Sequence, residues 1–117
     1  MLNLSEKITD LNDLVLQGKV LEAFEKYYDD QVHMQENEAE PTVGKAANRK
    51  REEAFMANLV EFREAKPLKV AVGTGTTMVE WYYDFTHKEW GIRNYTQVSV
   101  QTWKDGKIVK EKFYYST

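Results

Sequence analysis

The sequence has no cysteine and only two prolines. No apolar run approaches the roughly 18 residues that a membrane-spanning helix needs. Without cysteine there is no disulfide framework, no thiolate nucleophile and no thiolate metal site. The two histidines, His33 and His87, lie too far apart along the chain to suggest a metal pair, so no metal and no cofactor is expected. Basic charge is also short. Sixteen Lys and Arg against 19 Asp and Glu give a net charge of −3. Nucleic acid and anionic membrane are therefore disfavoured as partners, because phosphate binding needs clustered cations. Met1 to Asp10 lacks a basic start and an apolar stretch and reads as neither signal peptide nor anchor. A cytoplasmic location is the expectation. No phosphate loop, nucleophile motif or zinc spacing occurs. Gly73-Thr74-Gly75 leads into a strand and not into a helix whose N-terminus could hold phosphate.

What is present is a change of period. Leu4, Ile8, Leu11 and Val15 fall at helical spacing, with Leu14 widening the stripe and Gly18 as C-cap. Val20, Ala23, Phe24 and Tyr27 continue it in a second helix to about Tyr28. Asp29-Asp30 ends that helix, and Gln31 to Glu36 reads as a short strand. Gly44 opens the longest helix, with Ala47, Ala54, Phe55, Leu59 and Phe62 on one stripe and Pro67 closing the segment. Its charge run, Arg49 to Glu53, reads as a solvated face. Arg51 and Glu52 could reach a pocket from it, but read as a solvated pair. Beyond Pro67 the period is 2, with strands at Leu68 to Val72, Thr76 to Thr86, Arg93 to Lys104 and Lys107 to Tyr115. Asp105-Gly106 is the strongest hairpin signal, since a type I′ turn needs positive φ at both central positions. Helices first and long antiparallel strands after them argue for one α+β domain over residues 1–117, its helices on one face of a curved sheet.

Tyr28-Asp29-Asp30 before a short strand, Pro41-Thr42-Val43-Gly44-Lys45 opening a helix and Trp103-Lys104-Asp105-Gly106-Lys107-Ile108 near the end stand in the order seen in SnoaL-like domains. From about Leu11 to Tyr115 the chain resembles that branch of the nuclear-transport-factor-2-like superfamily. The resemblance implies N-terminal helices packed in the concave face of a curved, mostly antiparallel sheet, a cone whose open end is a pocket. It also implies that Trp103 points into the cone. Burial alone would put Val98 and Val100 inside, whereas the resemblance puts the odd-numbered residues of this strand there. Tyr95, Gln97, Ser99, Gln101 and Trp103 then share the inner face. Glu111, Phe113 and Tyr115 turn inward on the last strand, and His33 and Gln35 on the short strand, with Glu36 at the rim. The expected ligand-binding set is Gln35, Tyr95, Gln97, Ser99, Gln101, Trp103, Glu111 and Phe113.

A deep carboxylate such as Glu111 is a candidate general base, because desolvation raises its pKa. The plainer reading of Glu111 is a structural group bonded to the glutamines, and that of His33 is a wall residue. Trp81, Tyr83 and Phe85 form a stripe that packs a core or stacks a flat ligand. Ketosteroid isomerases share the architecture. In register with the Asp29-Asp30 and Pro41 to Gly44 landmarks, their base, tyrosine and carboxylic acid fall on Gln35, Leu11 and Ser99, none of which can play those parts. A slip of one residue offers Glu36 as base and still leaves the oxyanion hole empty. SnoaL-like cyclases use an acid and a histidine, for which Glu111 with His33 is the nearest match. With those catalytic sets missing, the preferred reading is a module binding a small, cyclic or amphipathic metabolite. The alternative is a lyase, isomerase or cyclase using Glu111, Glu36 or His33 for proton transfer. Thr96, Val98, Val100 and Thr102 form a β-branched outer strip that points to a homodimer.

Overall fold

The computed structural model describes residues 2–116. Its elements are α1 (Leu4–Leu16), α2 (Val20–Tyr27), β1 (Tyr28–Glu36), β2 (Thr42–Val43), α3 (Lys45–Ala57), β3 (Leu59–Gly73), β4 (Thr76–His87), β5 (Gly91–Lys104) and β6 (Lys107–Tyr114). The six strands form one sheet in the order β2-β1-β6-β5-β4-β3. All pairs are antiparallel except β1 with β6. Asn3 starts α1 through a capping box with Glu6. At the β5–β6 hairpin Asp105 and Gly106 have φ of 52° and 80°, the pair of positive values expected of the turn.

The core is built by α1 and α2 laid on the inner face of the sheet. Ile8, Phe24, Val32, Val79 and Ile108 are buried there with Trp81 and Trp103. Tyr27 meets Trp103 edge-on at 5.9 Å. None of the helices of the described residues is long and apolar enough to cross a membrane.

Two expectations about the middle of the chain are corrected. The long helix stops at Ala57, and the segment through Phe62 and Pro67 is strand β3 instead. Proline is tolerated there because β3 is an edge strand that owes no ladder bond on its outer side, and the register shifts between Pro67 and Lys69. The helix is also rotated from the expected stripe. Ala47 and Ala54 are exposed, whereas Asn48 is buried and Glu52 and Phe55 half-buried, spaced i, i+4 and i+7. Asn48 fixes that rotation: its Nδ2 donates to the carbonyls of Val32, Thr42 and Gly44 at 3.3, 3.0 and 2.9 Å.

The second correction concerns β1. Tyr28, Val32 and Met34 are its buried residues, while His33 is exposed. Gln35 is half-buried and donates to the Ala39 carbonyl at 2.9 Å, turned toward the following loop. The two apolar side chains take the core positions because burying them returns more free energy than burying an imidazole and an amide. A register shift against β6 between Tyr28 and His33 accommodates this.

Candidate functional site

On β5 and β6 the inner face is polar as expected. Gln97, Ser99, Gln101, Trp103 and Glu111 are buried, while Tyr95, Phe113 and Tyr115 are half-buried. Strand alternation puts Glu111 opposite Gln101, the two being register partners. The Gln101 amide donates to Glu111 Oε2 at 2.7 Å. Thr77, on β4 opposite Gln101, donates to its amide oxygen at 2.7 Å and accepts from the Trp103 indole at 2.9 Å. Tyr28 donates its hydroxyl to Glu111 Oε1. Farther along β5, the Gln97 amide donates to the Ser99 hydroxyl at 3.2 Å. The buried polar groups thus satisfy one another, which allows this face to stay inside.

Burial pushes the Glu111 carboxyl up to about 7, with the donors Gln101 and Tyr28 pulling back and the Glu52 charge adding to the rise. Glu52 reaches the same space from α3, and desolvation raises it to about 6. No hydrogen bond or ion pair engages its carboxylate among the described residues. The Tyr28 and Tyr83 hydroxyls are held well above their ordinary value, first by burial and then by neighbouring charges that include Glu111 and Glu52. The four groups are thus buried close enough for their charges to act on one another.

Above them runs a wall of rings. Trp81 stacks on Tyr83 at 5.5 Å, Tyr83 lies 5.9 Å from Tyr95, and Tyr95 lies 5.7 Å from Tyr115. At the rim Arg51 pairs with Glu36 and donates to Thr42 Oγ1 at 3.0 Å, and Tyr115 donates to the other Glu36 oxygen at 3.0 Å. Glu36 is thus already matched by a cation. Arg93 sits over the Tyr95 ring at 4.7 Å. His87 is buried at the far end of β4, stacked on Trp90 at 3.8 Å and on Phe55 at 5.7 Å.

Of the sequence candidates, Gln97, Ser99, Gln101, Trp103 and Glu111 come together, with Tyr95 and Glu36 toward the opening. His33 and Gln35 do not join them, so Glu111 has no histidine partner on β1. Sequence reasoning missed Tyr28 and Thr77; it named Glu52 but read it as half of a solvated pair with Arg51, whereas Arg51 pairs with Glu36 and Glu52 is half-buried. Thr77 was legible, since it shares parity with Val79 and Trp81 on β4. Glu52 needed the rotation set by Asn48, and Tyr28 the point where helix gives way to strand.

Comparison with known families agrees with this architecture. The sequence model of the SnoaL-like domain matches residues 3–115. The chain belongs to the SnoaL-like domain family. Among solved structures, this SnoaL-like domain is similar to a Mesorhizobium loti protein provisionally named a SnoaL-like polyketide cyclase, with carbohydrate phosphatase in brackets. The two are 27% identical over 97% of this chain and 100% of that one, with a TM-score of 0.88. A Bacillus subtilis protein provisionally named an isomerase is 18% identical over 96% of this chain and 85% of that one, with a TM-score of 0.76. A Xanthomonas campestris protein of unknown function with a cystatin-like fold reaches 0.85 at 11% identity, over 99% of this chain and 92% of that one. The last two share the fold alone. No curated protein matches the chain.

Proposed function

We propose that this SnoaL-like domain binds a small cyclic or amphipathic molecule in its cone and moves a proton on it, as a lyase, isomerase or cyclase does. The observation that carries this reading is the pair of desolvated carboxyls from separate elements, Glu52 on α3 and Glu111 on β6, raised to about 6 and about 7, Glu52 in spite of the nearby Arg51 charge and Glu111 with no cation against it. General acid–base catalysis is most effective when the group titrates near the working pH, and perturbed carboxyls in a cleft mark such sites. Glu52, half-buried and unengaged, is the ligand-facing acid or base. Glu111, buried and bonded to Gln101 and Tyr28, is the second titrating group. The tyrosine wall supplies flat surface for a ring and hydroxyls that can donate to an oxygen on which charge develops.

The test is deuterium incorporation from D2O next to the carbonyl of 2-tetralone and cyclohexanone, followed by NMR. Protein-dependent exchange that Glu52→Gln abolishes supports the reading. Exchange no faster than in buffer, with the ketones bound, overturns it in favour of a binding module. The engagement of both Glu111 oxygens, by Tyr28 and Gln101, supports that second reading. A homodimer through the outer face of β5 belongs to the same proposal, and the exposed Met78 beside Val100 supports it.

A further inference from the structure

We propose that Trp103 and Thr77 are positioning residues for Glu111: they fix the sense of a hydrogen-bond chain so that Gln101 can face the carboxylate only with its amide NH2. The inference rests on the reading of Glu111 as part of a proton-transfer site. An indole N–H donates and cannot accept. Trp103 Nε1 donates to Thr77 Oγ1 at 2.9 Å, which directs the threonine hydroxyl hydrogen elsewhere. That hydrogen goes to Gln101 Oε1 at 2.7 Å, and the amide nitrogen is then left to donate to Glu111 Oε2 at 2.7 Å. Thr77, Gln101 and Glu111 are all buried, so no bulk water substitutes for a broken link. A flipped Gln101 would set its carbonyl oxygen against the carboxylate and the amide against the threonine hydrogen, losing two bonds at once.

The chain has a chemical consequence. With Oε2 committed as acceptor, the proton that Glu111 takes up goes to Oε1, the oxygen that faces the Tyr28 hydroxyl. Tyr28 then accepts from the neutral acid and turns its own hydrogen away. Gln101, donating to the charged form, keeps the Glu111 pKa from drifting higher. The ionisable groups facing Glu111 are Tyr28 from β1, Glu52 from α3 and Tyr83 from β4; no Lys or Arg is among them.

The experiment is a carboxyl ¹³C NMR titration of Glu111 in the ligand-free protein, comparing wild type with Thr77→Val, Thr77→Ser and Trp103→Phe. Valine keeps the volume of threonine and removes the hydroxyl, so Gln101 loses its orienting donor. The proton affinity of Glu111 then rises about tenfold, the scale of one hydrogen bond to a charged group. Thr77→Ser restores the wild-type value. Trp103→Phe moves the affinity in the same direction as Thr77→Val, and serves where Thr77→Val fails to fold. Equal affinity in wild type and in the valine and phenylalanine variants overturns the proposal, as does a serine variant that behaves like valine. Because no ligand is present, this outcome is independent of whether the ketones exchange.

Discussion

The two faces of β5 invert the usual order of a sheet. Toward the helices it presents Gln97, Ser99 and Gln101, all buried, and away from them Val98 and Val100, half-buried between the exposed Thr96 and Thr102. A strand read for burial alone would be placed the other way round. The inner face tolerates its amides because each has a partner across the sheet or along the strand. The outer face has no such account within one chain. Met78 and Tyr82 on β4 extend the strip toward β3, with Glu80 between them opposite Val98. A polar interior and an apolar exterior are what a ligand site and a subunit contact would each require.

The sharpest way to break the comparison is to charge the apolar side. Val98→Lys with Val100→Lys is expected to convert a dimer to a monomer at micromolar concentration, as read by sedimentation, with the circular dichroism spectrum unchanged. At roughly 25 cal/mol per Å² even a modest two-fold sheet contact contributes several kcal/mol before association costs. A wild-type monomer would remove the interface.

The polar side should appear as a pH dependence of stability. Glu111 is raised from 4.5 in the unfolded chain to about 7 in the fold. Between those values the folded state holds a proton that the unfolded chain has released, so stability falls as pH rises through this window. Above about 7 both states are ionised and the loss is complete, at about 3 kcal/mol. Glu52 acts in the same direction over a narrower window. Glu111→Gln should flatten most of the slope in urea titrations at successive pH values. A profile unchanged by that substitution would mean that the carboxyl is solvated and not part of a dry site.

A smaller effect is expected where the hairpin joins the two faces. Gly106→Val places a β-branched residue at a φ of 80°, costing roughly 1–2 kcal/mol. Its Cβ would also come within 2.9 Å of the Lys7 ammonium, a contact the flexible lysine relieves by moving. Unchanged chemical denaturation would count against the turn.

How much of this was legible follows from which force decides each element. The period change, the Asp105-Gly106 turn and the polar inner parity of β5 and β6 could be read, the last through family resemblance, since hydropathy argued the opposite. The end of α3 could not. Phe55, Leu59 and Phe62 fit a helical stripe, and only the pairing of Phe62 with Phe85 across the sheet shows that tertiary contacts overrode it. Glu52 was read as solvated for the same reason, because its facing depends on Asn48 bonding three carbonyls that local sequence cannot place. On β1 the opposite mistake arose: the hydrophobic pattern of Val32 and Met34 was the right guide, and the resemblance that puts Gln35 inward was not.

The smallest expected effect tests that last point. His33 is exposed on β1 and opposite Lys110 on β6, facing away from Tyr28, Glu52 and Glu111. Surface substitutions clear of caps, turns and buried partners change stability by no more than about 0.5 kcal/mol. His33→Ala should therefore leave the urea midpoint, the Glu111 titration and any ketone exchange at wild-type values. A slowed exchange would place the imidazole in the cone and restore the acid–histidine pair that its residue type suggests. That outcome requires β1 to turn over by one residue, which would expose Val32 and Met34 and lower stability as well. A change in exchange without a change in stability is therefore not available to the alternative register, and the two measurements on one variant decide between the faces.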